Sequence, residues 1–362
     1  MFLWIVLFVN LCVAVYLVVS LIRPLGLKRS VKIILSFLIL CASQYLWISF
    51  IASFFFNRMN PFSFGFISVS GVLQVVLFVF FLWAVVMDGI ALILRLMKRP
   101  FVHRIVFISV GAVFMSVLGI YEAIKVPVVR YVTIYSDMLP HDWKPATIAV
   151  LSDIHIGSDT QLEKKWLQQT VAKTNALHPD MILVTGDIID GSVEFLNDQI
   201  RPLFDLSAKD GVYLTFGNHE TYRGAGAWET FFRQNAVRVL NDEVISVSLN
   251  TNPIKLAGIY RNSALLNTEL NDSPILLMAH YPAVAKKIPA DKVFLQLSGH
   301  THGGQFAFLY PLVALGNEGF VRGLYQLGRS QLYVHSGTGL WRGFPFRFLT
   351  PSEITLMTIR RK

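Results

Sequence analysis

Four apolar runs crowd the first 126 residues of this 362-residue chain, at about 2–22, 31–53, 70–94 and 105–124. A helix needs roughly 20 apolar residues to cross the hydrocarbon core of a bilayer. Each run is long enough, and together they predict an all-α region of four transmembrane helices over residues 1–126. The first run lacks the basic amino-terminal stretch of a secretory signal and exceeds a ~7–15-residue signal core, so it reads as a retained helix. The only cysteines, Cys12 and Cys41, lie inside apolar runs. No disulfide framework or thiolate metal site is therefore expected in the polar part of the chain.

Charge divides at the same place. Residues 1–126 carry ten Lys and Arg against two acids, Asp88 and Glu122, while the remaining 22 bases face 21 acids. A net charge of +9 would ordinarily raise nucleic acid as a partner. Here the excess lies beside hydrophobic runs, where Lys and Arg mark cytoplasmic loops, and no nucleic-acid binding is expected. Arg23, Lys28, Arg29 and Lys32 follow the first run, and Arg95, Lys98, Arg99 and Arg104 follow the third. Only Arg58 follows the second. That asymmetry places loops one and three in the cytoplasm and both termini outside. The chain then reads as a multi-pass protein of the cell (inner) membrane with an extracytoplasmic C-terminal domain, residues 127–362. Asp88 and Glu122 lie near the ends of runs and read as reaching headgroups or water.

Beyond residue 130 short β-branched runs alternate with polar, helix-like stretches. Strands are expected at Thr147–Leu151, Met181–Thr185, Val212–Phe216, Ile254–Ile259, Ile275–Met278, Val293–Leu297 and Leu332–Val334, with helices at Trp166–Leu177 and Val193–Leu206. Strand–helix alternation points to a layered α/β domain, and the later strands, following one another more directly, to a mixed sheet or sandwich.

The polar residues gather where strands end. In order come Asp153-x-His155, Gly186-Asp187-x-x-Asp190, Gly217-Asn218-His219-Glu220, His280, and Gly299-His300-x-His302-Gly303-Gly304. Ligand sites of α/β sheets lie off the carboxyl ends of strands, so five loaded ends imply one shared site. Asp153 and His155 are two apart, and an extended backbone would point both the same way; His300 and His302 repeat the spacing. Imidazole with carboxylate suits Mn, Fe or Zn better than Ca or Mg. Two such cations about 3.5–4 Å apart can clamp the attacking and leaving oxygens of a phosphoryl group and lower the pKa of a bound water. Taken singly, each piece is commonplace. Asp-x-His recurs by chance, Gly-Asp and Gly-Asn are ordinary turn signals, and a lone His280 suits a buried core. Five pieces in order after five strands are not.

At these residues the chain resembles the calcineurin-like metallophosphoesterase family, whose motif set is complete over about 150 residues. The resemblance implies a four-layer α/β/β/α sandwich and two divalent transition metals, Mn favoured over Fe or Zn. It implies one metal held by Asp153, His155, Asp187 and His302, and a second by Asp187, Asn218, His280 and His300, with Asp187 bridging. It places His219 beside the leaving oxygen as proton donor or phosphate contact, so that His219 and Asp187 are the expected catalytic pair. Gly303-Gly304-Gln305, Val334–Gly339 and Pro351-x-Glu353-Ile354 look like the bacterial membrane-associated phosphodiesterase branch related to YaeI and YkuE. Two features depart from that branch. Four apolar runs replace a single anchor, and His335-Ser336 stands where Ser-Arg is expected; His335 reads equally as an extra site group and as a buried histidine.

The expected activity is that of a metal-dependent phosphoric ester hydrolase, a phosphodiesterase or phosphatase acting on a phosphorylated lipid or envelope component held close to the membrane. Aromatics and arginines in Leu340–Phe348 suit a membrane interface, ordinary packing of a C-terminal loop being the plainer reading. Arg322, Arg342 and Arg347 are candidate phosphate contacts. Two other readings stand beside this one: cleavage of the pyrophosphate in a nucleotide-linked lipid, expected on the cytoplasmic side, and a non-enzymatic metal-holding scaffold. The last fits poorly with a motif set from which no ligand is missing.

Overall fold

Unbroken apolar sequence makes the amino-terminal unit helical, since only intrahelical bonds satisfy a backbone without water. Helix α1 spans Phe2–Leu17 and runs on through a π turn, Val18–Ile22; α2 spans Arg29–Phe56, α3 Pro61–Leu96 and α4 Arg104–Ile124. The four helices fall on the four apolar runs. Among the described residues, two stretches, Gly71–Leu96 and Arg104–Ile124, are long and apolar enough to cross a membrane. The computed structural model describes residues 2–56, 61–157, 161–261, 274–288, 292–340 and 344–362; Arg58 lies outside them. Asp88 departs from expectation. Rather than reaching headgroups or water, its carboxylate accepts from Tyr16 Oη (2.8 Å) and Ser20 Oγ (2.7 Å) and pairs with Arg104. Arg104 Nη2 also donates to the Ser20 carbonyl at 2.7 Å. One of the bases counted in the third loop thus ties α1, α3 and α4 together.

From Ala123 the chain forms a second unit built on two six-stranded sheets. The strands are β1 Val128–Ser136, β2 Ala146–Leu151, β3 Met181–Thr185, β4 Val212–Thr215, β5 Arg238–Val239, β6 Glu243–Leu249, β7 Asn252–Ile259, β8 Ile275–Ala279, β9 Val293–Ser298, β10 Gly323–Leu327, β11 Ser330–Val334 and β12 Glu353–Arg361. The first sheet has the order β1-β12-β2-β3-β4-β5 and the second β10-β11-β9-β8-β7-β6. In β2 and β3, Ile148, Val150, Met181 and Leu183 point between the sheets against Leu276, Met278 and Leu297. Their alternates Ala149, Leu151, Ile182 and Val184 face helices α5 (Gln161–Asn175), α6 (Val193–Leu196) and α8 (Ala225–Gln234), the last preceded by the short α7 (Asn218–Tyr222). Both faces are apolar, as buried strands of an α/β sheet require.

Three layers of the expected sandwich are therefore α, β and β. Among the described residues the outer face of the second sheet is covered by a 3-10 segment, Pro282–Lys287, whose Val284 and Ala285 pack on it. The helix expected over Val193–Leu206 is broken: α6 stops at Leu196 and a 3-10 turn resumes at Arg201–Asp205 with Pro202 in its first turn. Proline lacks the N–H that would continue an α-helix.

Candidate metal centre

Strands β2, β3 and β4 run parallel in one sheet, and β7, β8 and β9 run parallel in the other. Their carboxyl ends meet. The His300 N–H donates to both Asp153 carboxylate oxygens (3.0 and 3.2 Å), and His280 Nδ1 lies 2.9 Å from the Thr185 carbonyl. Side chains from the two sheets thereby face one point.

The backbone there is not extended. Asp153 (φ 53°), His155 (φ 54°), Asp187 (φ 53°), His300 (φ 72°) and His302 (φ 49°) all occupy the left-handed region, which residues with a Cβ avoid by about 1–2 kcal/mol each. The two-residue alternation expected of Asp153 and His155 is therefore replaced by left-handed turns that aim both inward. Backbone bonds from Asp153 N to Gly186 O (2.9 Å), His155 N to Asp187 O (3.1 Å) and Ile156 N to Ile188 O (2.9 Å) hold the geometry. Strain of this kind collects at functional sites.

His155 Nε2 and His302 Nε2 are 3.1 Å apart. His155 Nδ1 lies 3.0 Å from Asp190 Oδ1, a carboxylate that can only accept, so Nδ1 carries the proton and Nε2 presents a lone pair. His280 is set the same way by the Thr185 carbonyl. Its Nε2 stands 3.0 Å from Asp187 Oδ2 yet is not aligned as a hydrogen bond, and finds no partner. Asn218 Oδ1 is likewise buried without a partner. Three donor sets lie within 4.8 Å: Asp153, His155 and His302; His155, Asp187 and His219; Asp187, His280 and His300. Convergent lone pairs with orphaned buried donors are what a cation would satisfy, and the residues fit the expected pair of metals. His155 is common to the first and second sets, and Asp187 to the second and third.

Without a metal, the carboxylates favour a second proton on His155 and His280, which a cation would displace. Burial disfavours charge on His155 and His280, but Asp190 for the first and Asp187 for the second outweigh it, lifting them to about 9 and about 10. Burial, only partly offset by Asp153 and Asp187, pushes His300 down to about 4 and His302 to about 3. Asp187 and Asp190 are buried too, yet the surrounding imidazoles hold both carboxyls well below the usual range.

A family model described as calcineurin-like phosphoesterase matches residues 146–304. An uncharacterized metallophosphoesterase of Campylobacter jejuni is 34% identical over 298 residues, 76% of each chain. The chain belongs to the calcineurin-like metallophosphoesterase family. It is a metal-dependent phosphoric ester hydrolase, of a family that typically binds two divalent metals. The metallophosphoesterase YkuE of Bacillus subtilis is 31% identical, over 63% of this chain and 84% of its own. A zebrafish transmembrane protein with metallophosphoesterase domain is 31% identical over 68% of this chain and 60% of its own.

Two residues of this metallophosphoesterase have roles that the motif reading left unassigned. Asp190 Oδ1 serves two rings, His155 Nδ1 at 3.0 Å and His219 Nδ1 at 2.5 Å. Glu220 is fully buried and accepts four backbone N–H groups: Asp187 (3.1 Å), Ile188 (2.6 Å), Ile189 (3.2 Å) and Gly217 (2.7 Å). Both stood inside motifs, but nothing in spacing tells an acid that binds metal from one that binds the loop. Burial, then the Asp187 charge, raises the Glu220 carboxyl.

The arginines fare differently. Arg347, expected at the phosphate, is fully buried instead: Nη1 donates to the carbonyls of Ser336 (2.9 Å) and Thr350 (3.0 Å) and Nη2 to that of Gly339 (2.7 Å). Its planar fork locks the turn behind Asp153 and has little left for a substrate. Arg322 Nη1 donates to the Leu349 carbonyl at 3.0 Å. Arg342, with Trp341 of the aromatic loop, lies outside the described residues. His335 is a buried histidine: Nδ1 accepts from the Gly337 N–H at 3.0 Å, and Nε2 stands 3.9 Å from Glu353.

Proposed function

We propose that this chain is a membrane-anchored, two-metal phosphoesterase that hydrolyses phosphodiester or phosphomonoester bonds of a lipid or envelope component. One metal is held by Asp153, His155, Asp187 and His302, the second by Asp187, Asn218, His280 and His300. The observation carrying this reading is the convergence of Asp153, His155, Asp187, His280, His300 and His302, with His280 Nε2 and Asn218 Oδ1 left buried and unpartnered. Anchoring is supported by the two apolar stretches of membrane-crossing length and by relatives named as transmembrane proteins with this domain. The charge asymmetry favours four crossings with the catalytic unit outside the cytoplasm.

Two bound divalent cations would concentrate positive charge on the phosphoryl oxygens and provide a water of lowered pKa. The chain's own residues do the rest. The seven ligands fix where the phosphorus can sit. Asp190 accepts a hydrogen bond from His219 Nδ1–H and so leaves Nε2 facing the site on a ring that is 20% exposed. As an imidazolium, His219 would give its Nε2 proton to the departing oxygen and be left neutral, with Nδ1–H still on Asp190. Asp187 Oδ1 also accepts the His219 N–H at 2.9 Å, tying the proton donor to the bridging carboxylate.

The test is metal analysis of the purified full-length protein together with turnover of bis-p-nitrophenyl phosphate. We expect two transition-metal ions per chain, loss of turnover on chelation, and a fall of about a thousandfold in Asp187→Ala, the scale of removing a major electrostatic group. Near-normal turnover by a metal-replete Asp187→Ala protein would sink the bridging role. For the membrane topology, a reporter active only in the cytoplasm should stay silent when fused after Lys362.

A further inference from the structure

Immediately past the Gly303-Gly304 turn the chain displays apolar side chains to solvent. Phe308 is 44% exposed, and helix α9 (Tyr310–Gly316) shows Leu312 at 65% and Leu315 at 83%. Leu312 and Leu315, three apart, share one face of that helix. Beside this segment Leu349 is 69% exposed on a backbone with φ 60°, unfavourable for a side chain of its size. Backbone bonds join the two: Phe348 N to Gln305 O (3.1 Å) and Ala307 N to Phe348 O (3.2 Å). Soluble surfaces rarely gather large apolar residues in this way.

Sheet register shows where the membrane region attaches. Helix α4 ends at Ile124 and β1 begins at Val128, and the three residues between can span at most ~10 Å. That linker is held to α5, its Lys125 carbonyl accepting from Trp166 Nε1 (3.2 Å) and its Pro127 carbonyl from Lys173 Nζ (2.6 Å). Val128 pairs with Glu353, and the antiparallel register Thr355↔Val150 carries Glu353 to the level of Ser152. The chain therefore enters the sheet two strand spacings, about 10 Å, from the end of β2 that delivers Asp153. Val128, four residues past the apolar helix in sequence, and Asp153 thus belong to the same end of one sheet.

We propose that α9, with Phe308 and Leu349, enters the surface of a lipid bilayer, and that the metal centre draws its phosphate ester from a lipid within that surface. The second half rests on the phosphoesterase reading above; the first does not. A bilayer is the occupant because the same polypeptide carries helices of membrane-crossing length on a three-residue tether.

Full-length protein in nanodiscs, with Cys12 and Cys41 replaced by serine, tests the docking. Single cysteines at Leu312→Cys, Leu315→Cys and, at the far end of β1, Tyr135→Cys carry an environment-sensitive fluorophore. Nitroxide-bearing lipids should quench the first two at least twofold more than the third; equal quenching at all three overturns the proposal. For the substrate, the probes are water-soluble bis-p-nitrophenyl phosphate and a diacylglycerol p-nitrophenyl phosphodiester embedded in the nanodisc. Leu312→Gln/Leu315→Gln should lose at least tenfold on the lipid probe and less than twofold on the soluble one. Equal losses on both overturn the substrate half. If the wild-type protein hydrolyses neither probe, the phosphoesterase reading falls, while the quenching still decides the docking.

Discussion

Glu220 shows how a residue outside the ligand set can govern it. Its two oxygens gather the N–H groups of Asp187, Ile188, Ile189 and Gly217, so the left-handed turn that aims Asp187 is held by an anion from the next strand end. Glu220→Gln replaces one accepting oxygen with an amide that must face N–H groups. Removing one partner of buried hydrogen bonds costs about 1–3 kcal/mol. We expect the variant to melt lower and to bind Mn several-fold more weakly in a direct metal titration, with Glu220→Asp recovering part of the affinity. Unchanged metal affinity would mean that Asp187 keeps its aim without this support. The acid was visible in the sequence beside Asn218 and His219, but its work was not. Which lone pairs meet which N–H groups depends on a turn geometry that no spacing rule conveys.

At the scale of elements, the close approach of β9 to β2 leaves no room for a side chain at Gly299. A Cβ there would lie 1.9 Å from Ser152 Oγ and 2.2 Å from Asp153 Oδ2, so Gly299→Ala must push Asp153 off its position. Loss of phosphodiester turnover by two orders of magnitude or more, with Mn binding weakened in the same titration, is the expected outcome. A merely destabilised enzyme would lose Tm but keep turnover per folded molecule. The strands carrying motifs were legible because β-branched runs stop abruptly at Asp, Asn or His, and β2, β3, β4, β7, β8 and β9 all fall within the expected runs or a residue or two of them. Strands β1, β5, β6, β10 and β12 were not. In β1, Tyr131 and Tyr135 face solvent, and β5 has two residues; β1, β5, β6 and β10 are edge strands, which carry little of the burial pattern on which such readings rest, whereas β12 is interior and was simply missed. The helical half read more easily, since an apolar run of bilayer length has few alternatives. Even there the bond between Asp88 and Arg104, 16 positions apart, was hidden.

For the molecule as a whole, the packed cluster of acids and imidazoles makes stability depend on pH when no metal is bound. The folded-state pKa values of His155 and His280 stand above the ordinary 6.5, at about 9 and about 10. Their contribution to stability is therefore complete below about pH 6.5 and disappears as pH climbs through 9 and 10. The lowered carboxyls of Asp187 and Asp190 act oppositely: their contribution is present above the ordinary 3.8 and is lost in stronger acid. His300 and His302, held below the ordinary 6.5, cost stability as pH falls beneath it, so chelator-treated protein should melt highest near pH 6.5 and progressively lower toward pH 10, as followed by circular dichroism of the full-length protein in detergent. A melting temperature that rises across that alkaline range would contradict the arrangement of charges.

The order β1-β12-β2 in the first sheet also has a consequence for biosynthesis. The last strand made, Glu353–Arg361, slots between the first two and hydrogen-bonds to both. While the ribosome is still translating, β1 has no neighbour to pair with, although the hydrophobic helices before it are already complete. β1 cannot join the first sheet until Glu353–Arg361 has been made. Truncation before Glu353 would leave β1 detached from the layer that bears Asp153.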